Sequence, residues 1–335
     1  MNAKDITVII PFRNESNRLN GLFESISNLA IFPKVFIFVD DHSEDDGAYK
    51  VVQFANQIYY KVEVSVLSLN KGVSGKKAAI AMGVKHANSS FLLFMDADLT
   101  FSADYFDYLP AYYNCDMVVL PVVMQAQKNN LISWLSKIEH LLFNSTNYIL
   151  AGFYVLSANG ANLLVKKVAY ENAQNINLHK HYASGDDYFL LRLFQKNGLN
   201  IAVSNNHKNI VFTESVKSFS DYFFQRLRWI GKINTPNRWE LLMTFFSVFY
   251  FLLPPLFLLL VLLGVQFSVI VFLFVSFLRW ILDYLFIVVY LKKESKGKIY
   301  FWLLIFQLVY PFLYISIAIA KIFYQPKWKG RKISD

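Results

Sequence analysis

One cysteine, Cys115, stands in 335 residues, so no internal disulfide can form, and the chain suits a reducing compartment. From Leu241 to Gln266 there is no charged residue at all, which excludes an ordinary soluble surface for that stretch. No G-x-x-x-x-G-K-[ST] loop and no G-x-G-x-x-G fingerprint occurs, which excludes a P-loop and a dinucleotide-binding signature. His140, His179, His181 and His207 show neither H-x-x-x-H nor H-E-x-x-H spacing and are read as non-ligands. Repeats, low-complexity segments and disordered linkers are also absent. The opening MNAKDITVIIPF carries no long apolar run before its first strand. No signal peptide is read there, and the part preceding the apolar segments is expected to stay in the cytoplasm.

What is abundant is apolar and aromatic side chain, at 55% and 17% of the chain, high for a soluble protein. The excess lies in three segments, Leu241 to Val265, Phe267 to Leu291 and Ile299 to Phe323. At 1.5 Å per helical residue each can span a core of about 30 Å. Pro254-Pro255 should kink the first segment. Arg279 and Asp283 in the second stand four residues apart, on one helical face, where they neutralise each other. The net charge is +9, and from Leu241 onward ten Lys/Arg against three Asp/Glu contribute +7 of it. The basic excess therefore suits an anionic membrane surface, and no nucleic acid is expected as a partner. The basic loop Lys292–Lys298 is placed in the cytoplasm by the positive-inside rule, and the uncharged loop near Gly264 to Phe267 outside. A third full span would put the basic tail KWKGRKISD outside, against the same rule. The other arrangement has one segment re-entrant or lying in the interface.

Before Glu240, strands and helices alternate. Strands are expected at Ile6–Pro11, Val35–Val39, Val62–Leu67, Phe91–Met95 and Met117–Val123, with short ones at Ile201–Val203 and Ile210–Phe212. Helices are expected at Ser16–Leu29, Asp46–Tyr59, Gly75–Ala87, Leu131–Leu150, Asp186–Gln195 and Phe219–Lys232. Four strand–helix alternations predict an α/β fold with a mostly parallel, doubly wound sheet. The run FLLFMDADLTF, Phe91 to Phe101, is its centre: five large apolar residues, then Asp96 and Asp98 one residue apart. In open α/β sheets ligands bind at the carboxyl ends of strands. Two carboxylates there repel unless a positive charge joins them, and a hard divalent cation with oxygen ligands does so. An isolated D-x-D is most often a polar turn capping a strand, so its neighbours in the sequence decide.

Four further patterns keep the order an enzyme needs. Pro11-Phe12-Arg13-Asn14-Glu15 follows the first strand, where polar groups can face a nucleotide. Asp40-Asp41-His42-Ser43 ends the second, where a carboxylate can accept base N–H groups and ribose hydroxyls, or simply cap a helix. In Lys71-Gly72-Val73-Ser74-Gly75-Lys76-Lys77 glycines let the backbone approach phosphate and Lys76 offsets its charge. Ser184-Gly185-Asp186-Asp187 leads into a helix, and a carboxylate there can act as general base or as a helix cap. Last comes Gln225-Arg226-Leu227-Arg228-Trp229, a Q-x-x-R-W sequence before the membrane segments. Arg228 can stabilise a diphosphate and Trp229 can stack on a sugar; a basic–aromatic interface helix reads the same way.

Together, VIIPFRNE, VDDHSEDD, KGVSGKKAAI, MDADLT, SGDDYFLLRLF and QRLRW make the chain resemble the family 2 glycosyltransferases of the GT-A fold. Within them it is similar to the membrane branch of cellulose, chitin and hyaluronan synthases. The resemblance covers roughly Ile6 to Lys232. It implies a Rossmann-like GT-A domain over residues 1–235, transmembrane helices over 241–323 and a basic tail over 324–335. It implies donor contacts from Pro11, Arg13, Glu15, Asp40, Asp41, Lys76, Asp96 and Asp98, with Mg²⁺ or Mn²⁺ on Asp98 and Asp96. Asp187, with Asp186 beside it, would be the general base. Gln225, Arg228 and Trp229 would sit by the diphosphate and acceptor, and Asn159, Gly160 and Asn162 would line the acceptor end. The implied activity is inverting transfer from a nucleotide-sugar donor, UDP-linked by expectation, to a lipid-linked or polysaccharide acceptor. It would take place at the cytoplasmic face of the inner membrane, with partner subunits for export. A polyprenyl-phosphate sugar synthase, a metal-dependent nucleotidyltransferase and a non-catalytic membrane scaffold are the other readings of the same residues.

Overall fold

The computed structural model describes residues 2–174, 186–230, 237–265, 267–291, 299–323, 327–328 and 331–332. Ser184-Gly185, His179, His181, Lys232, the Lys292–Lys298 loop and most of the basic tail lie outside them. The chain divides into two compact units: residues 1–123 with 157–214 and 334–335, and residues 124–156 with 215–333.

The first unit follows the expected alternation. It runs β1 (Ile6–Phe12), α1 (Leu19–Ser27), β2 (Val35–Asp40), α2 (Gly47–Ile58), β3 (Glu63–Ser68), α3 (Lys76–His86) and β4 (Phe91–Met95). β1, β2 and β4 are buried along almost their whole length, as expected for strands covered on both faces. β1 pairs parallel with β2 on one side and β4 on the other, and β3 is parallel to β2. α1 starts at Leu19 rather than Ser16; a turn over residues 16–18 precedes it, in which the N–H groups of Arg18 and Leu19 both donate to the Glu15 carbonyl. Phe23 of α1 stacks on Phe54 of α2, with ring centroids 4.2 Å apart.

Beyond β4 come β5 (Thr100–Phe101), β6 (Met117–Val119) and β7 (Val122–Gln125). The single strand expected over Met117–Val123 is broken at Leu120-Pro121, where proline can supply no ladder donor. The chain later returns as β8 (Asn162–Lys166), α5 (Lys167–Gln174), α6 (Asp186–Lys196), β9 (Ile201–Val203) and β10 (Val211–Glu214). β8 enters the sheet antiparallel between β4 and β6, giving the order β3-β2-β1-β4-β8-β6-β9. Sequence reasoning assigned no strand to Asn162–Lys166, although its first four residues are buried. The antiparallel register sets Asn162 opposite Met95, so the segment entering β8 arrives beside the carboxyl end of β4. β5 and β10 pair antiparallel in a smaller sheet.

The second unit holds α4 (Leu131–Leu150), α7 (Phe219–Ile230), α8 (Arg238–Leu262), α9 (Phe267–Leu291) and α10 (Ile299–Phe323). Among the described residues, Arg238–Leu262, Val269–Leu291 and Ile299–Phe323 are long and apolar enough to cross a membrane. α8 is assigned as one helix through Pro254-Pro255, opened by a capping box between Asn237 and Glu240. Asp283 accepts from Tyr250 Oη of α8 and from Gln307 Nε2 of α10 at 3.0 Å, and lies 3.7 Å from Arg279 Nε. The i,i+4 pair therefore neutralises itself and also ties three apolar helices together. α4 belongs to this unit: Trp134 stacks on Trp302 of α10, and Tyr148 meets Tyr290 of α9.

α3 lies so close to the sheet that a Cβ on Gly83 would come within 2.5 Å of Ile9 Cγ2, a fully buried side chain of β1. Gly83→Ala is expected to destabilise the protein by about 1–3 kcal/mol through overpacking, read as a lower unfolding temperature in detergent. An unchanged transition would mean that α3 can lift from β1 freely.

Candidate active site

The loops after β1 and β2 form one wall of the site by bonding to each other. Asn14 and His42 both adopt positive φ, 54° and 56°, uncommon for residues other than glycine and frequent where function holds a backbone in place. Asn14 N–H donates to Ser43 Oγ at 3.1 Å, and Glu44 N–H donates to Asn14 Oδ1 at 2.8 Å. His42 Nε2–H donates to the Val73 carbonyl at 2.9 Å, which ties the Lys71–Lys77 loop to the same wall. Gly72 and Gly75 have φ of 83° and 105°, and nothing lies within 4 Å of a Cβ built on either. Glycine is needed there for backbone conformation rather than for close packing.

The expected donor residues gather at these strand ends. Pro11 is half-buried near the end of β1. Asp40 ends β2, buried, and its carboxylate accepts from Ser43 N–H at 3.0 Å. Asp41 is buried next to it, 3.9 Å from Arg13 Nη1, which also donates to the Asp41 carbonyl at 3.3 Å. Glu15 pairs with Arg18 at 3.3 Å.

Asp96 and Asp98 are both half-buried just past β4, and each faces a cation. Lys76, the first residue of α3, forms an ion pair with Asp96. Arg18 Nη1 donates to Asp98 Oδ2 at 3.1 Å, and Thr213 Oγ1 of β10 lies 3.3 Å from the same oxygen. Burial raises the Asp98 pKa above the usual carboxylate range; the charge of Asp96 adds to this, and Arg18 opposes it. Such a pair of oxygen donors, strained by like charge, fits a hard divalent cation. Among the described residues no group of three or more His, Cys, Asp or Glu is placed to hold one alone. The remaining ligands would come from substrate oxygens, the common arrangement for Mg²⁺ on phosphates.

Asp187 sits in the first turn of α6, where its Oδ1 accepts from Tyr188 N–H at 2.9 Å and its Oδ2 from Gly160 N–H at 3.1 Å. Gly160 stands two residues before Asn162, which faces Met95, so the chain brings Asp187 to the β4 end through this loop. Asp186 opens the same helix. Asn159 folds back so that its Oδ1 accepts from Ala161 N–H at 3.0 Å. Asn162 corrects an expectation. It is fully buried, Tyr105 Oη donates to its Oδ1, and its Nδ2 donates to the carbonyls of Pro121 and Asn209 at 2.9 and 3.0 Å. Its amide is committed inside the fold, so it braces the site instead of lining an acceptor path.

Gln225, Arg228 and Trp229 belong to the second unit, on α7, each partly exposed. Between them Arg226 is buried, its guanidinium 4.7 Å from the Trp229 ring centroid. His140 of α4 lies 6.4 Å from the same ring.

With this geometry in hand, the chain matches the family described as Glycosyl transferase family 2 over residues 7–172. It also matches Glycosyl transferase family group 2 over residues 91–316. The chain belongs to the family 2 glycosyltransferases. Among curated relatives, this glycosyltransferase is 26% identical over 164 residues to the 4,4'-diaponeurosporenoate glycosyltransferase of Staphylococcus haemolyticus, over 48% of this chain and 39% of that protein. It is 35% identical over 101 residues to the protein of the same name from Staphylococcus aureus strain USA300, over 30% of this chain and 25% of that one. Both matches thus take in well under half of the relative. Its fold resembles that of the mannosyltransferase PcManGT from Pyrobaculum calidifontis in complex with GDP-Man and Mn²⁺, with a TM-score of 0.53 at 13% identity. That likeness covers 95% of this chain and 87% of the other, and it is one of fold.

Sequence reasoning missed Arg18 and Thr213 at the glycosyltransferase's paired carboxylates. Arg18 lies in a helix-leading turn with no motif of its own. Thr213 reaches Asp98 only because β10 pairs with β5.

In the second unit, burial and the positive charge of Arg226 lower the His140 pKa from 6.5 to about 3. Below pH 6.5 the unfolded chain takes up a proton that the folded one refuses until about pH 3. Stability contributed by His140 is therefore full above pH 6.5 and is lost as pH falls through that window, by up to about 1.4 kcal/mol per unit. The unfolding temperature should drop between pH 7 and 4, and His140→Gln should flatten that slope. Parallel slopes for the two proteins would show that His140 is not buried neutral.

Proposed function

We propose that the chain is a membrane-anchored, inverting glycosyltransferase that moves a sugar from a nucleotide-sugar donor to an acceptor hydroxyl at the cytoplasmic face. The observation that carries this reading is the arrangement of carboxylates in the first unit. Asp96 and Asp98 follow β4, while Asp187 is held by two backbone N–H groups, that of Tyr188 on its own helix and that of Gly160 on the loop that enters β8 beside β4. Asp187 takes the proton of the acceptor hydroxyl as its oxygen bonds to the anomeric carbon. The bond to the diphosphate breaks on the opposite side, so the anomeric configuration inverts. Asp40 and Asp41 offer carboxylates to the base and ribose of the donor. Arg228 offsets charge on the departing diphosphate, and Gln225 and Trp229 hold the acceptor side. Mg²⁺ or Mn²⁺ held by Asp98 and Asp96 would supply neutralisation of the diphosphate.

A UDP-linked donor is the first to test, with GDP-mannose beside it, because PcManGT is named with that ligand. Acceptors to test are lipid-linked sugars, growing glycans and 4,4'-diaponeurosporenoate, the acceptor in the relatives' names. The basic Lys292–Lys298 loop supports the orientation with the first unit in the cytoplasm of the inner membrane. In Cys115→Ala cells carrying Ser295→Cys, an impermeant thiol reagent should leave position 295 unlabelled, and efficient labelling would reverse the orientation.

Asp187→Asn keeps shape but cannot take a proton. Turnover should fall roughly 10²–10⁴-fold while calorimetry finds near-normal donor affinity. Asp186→Asn should cost less. If Asp187→Asn loses donor affinity in proportion to rate, the residue belongs to the donor site and is not the base. Asp98→Asn should instead abolish metal-dependent nucleotide binding; wild-type turnover of that variant in chelator would refute the metal assignment.

A further inference from the structure

Arg226 is one of the two unspecified positions inside Q-x-x-R-W, yet its guanidinium is bonded through all three nitrogens. It is 3% exposed. Its Nε donates to Glu139 Oε2 at 2.7 Å, and its Nη2 donates to that oxygen and to Ser136 Oγ, the latter at 3.0 Å. Its Nη1 donates to Gln225 Oε1. The guanidinium lies over two rings, 4.2 Å from the Tyr222 centroid and 4.7 Å from the Trp229 centroid. Glu139 accepts two more bonds, from Tyr222 Oη at 2.9 Å and from Tyr310 Oη at 3.0 Å.

Two members of the motif thus take their orientation from one buried cation: Gln225 through its amide oxygen, Trp229 through the face of its indole. The cation is in turn fixed by a carboxylate on α4, and that carboxylate by a phenol halfway along α10. A lone ion pair at a buried position is weak grounds for stability, because desolvation offsets its attraction. A fork that also holds two partly exposed side chains does something more specific. We propose that Glu139 and Arg226 are positioning residues for the glycosyl transfer step, acting through Gln225 and Trp229, and that Tyr310 makes α10 part of the same support. The assignment rests on the proposed role of Gln225, Arg228 and Trp229 in transfer.

The test is a pair of double-mutant cycles in kcat/KM on the full-length, detergent-solubilised protein, crossing Glu139→Gln with Trp229→Ala and with Gln225→Ala. Misplacing a reacting group by about 1 Å can cost on the order of 100-fold, so Glu139→Gln alone should lower kcat/KM by about 10- to 100-fold. Once Trp229 or Gln225 is gone, adding Glu139→Gln should cost less than about 3-fold, because residues acting as a unit are not additive. Arg226→Lys keeps the charge but not the fork, and it should behave like Glu139→Gln. Full additivity, with the Glu139→Gln loss undiminished in the Trp229→Ala and Gln225→Ala backgrounds, overturns the proposal and leaves the transfer reading standing. Should Trp229→Ala and Gln225→Ala themselves leave kcat/KM unchanged, the motif's role in transfer fails first, and the proposal with it. If Glu139→Gln does not fold, Tyr310→Phe removes one bond to the carboxylate and the cycles are read with it: the same loss of additivity supports the proposal, and additivity rejects it.

Discussion

Repulsion between Asp96 and Asp98 is the constraint around which the first unit is arranged. β4 is buried on both faces, and the two carboxylates that follow it emerge together at its end, each half-buried. Positive charge has to come from elsewhere in the chain. It arrives from Lys76 at the start of α3 and from Arg18 ahead of α1. Burial, with the charge of Asp96 adding to it, still raises the Asp98 pKa against the pull of Arg18.

The second unit solves a related problem differently. There each buried charge faces an opposite one: Arg226 is hydrogen-bonded to Glu139, and Arg279 lies 3.7 Å from Asp283, each carboxylate also accepting from tyrosine hydroxyls. The first cluster joins elements far apart in sequence, α4, α7 and α10; the second joins the successive helices α8, α9 and α10. Among helices whose outer faces are apolar, directional contacts of this kind give the packing a single register, which hydrophobic contact alone specifies poorly.

Most of the alternating half was legible in the sequence. β1, β2, β3 and β4 begin and end within a residue or so of their expected places, because the apolar runs of β1, β2 and β4 and the alternating apolar residues of β3 leave few alternatives. The grouping of Asp40, Asp41, Lys76, Asp96 and Asp98 followed from the rule that parallel strands present their carboxyl ends on one edge. Asn162 was misread, since a sequence cannot tell an amide that faces a ligand from one that holds Tyr105, Pro121 and Asn209 together. Arg226 was read only as part of a basic helix, because its bond to Glu139 joins residues 87 apart and no local pattern marks it.

By itself, then, the sequence determined the strand ends, the identity of the acidic residues there and the three apolar helices, since these depend on local runs of side chains and on their order. Tertiary structure alone decided that β8 enters antiparallel beside β4, bringing Gly160 to Asp187, and that β10 pairs with β5, bringing Thr213 to Asp98. It alone paired Glu139 with Arg226. Those contacts depend on which distant segments share a sheet or a helix face, and no local periodicity encodes that choice.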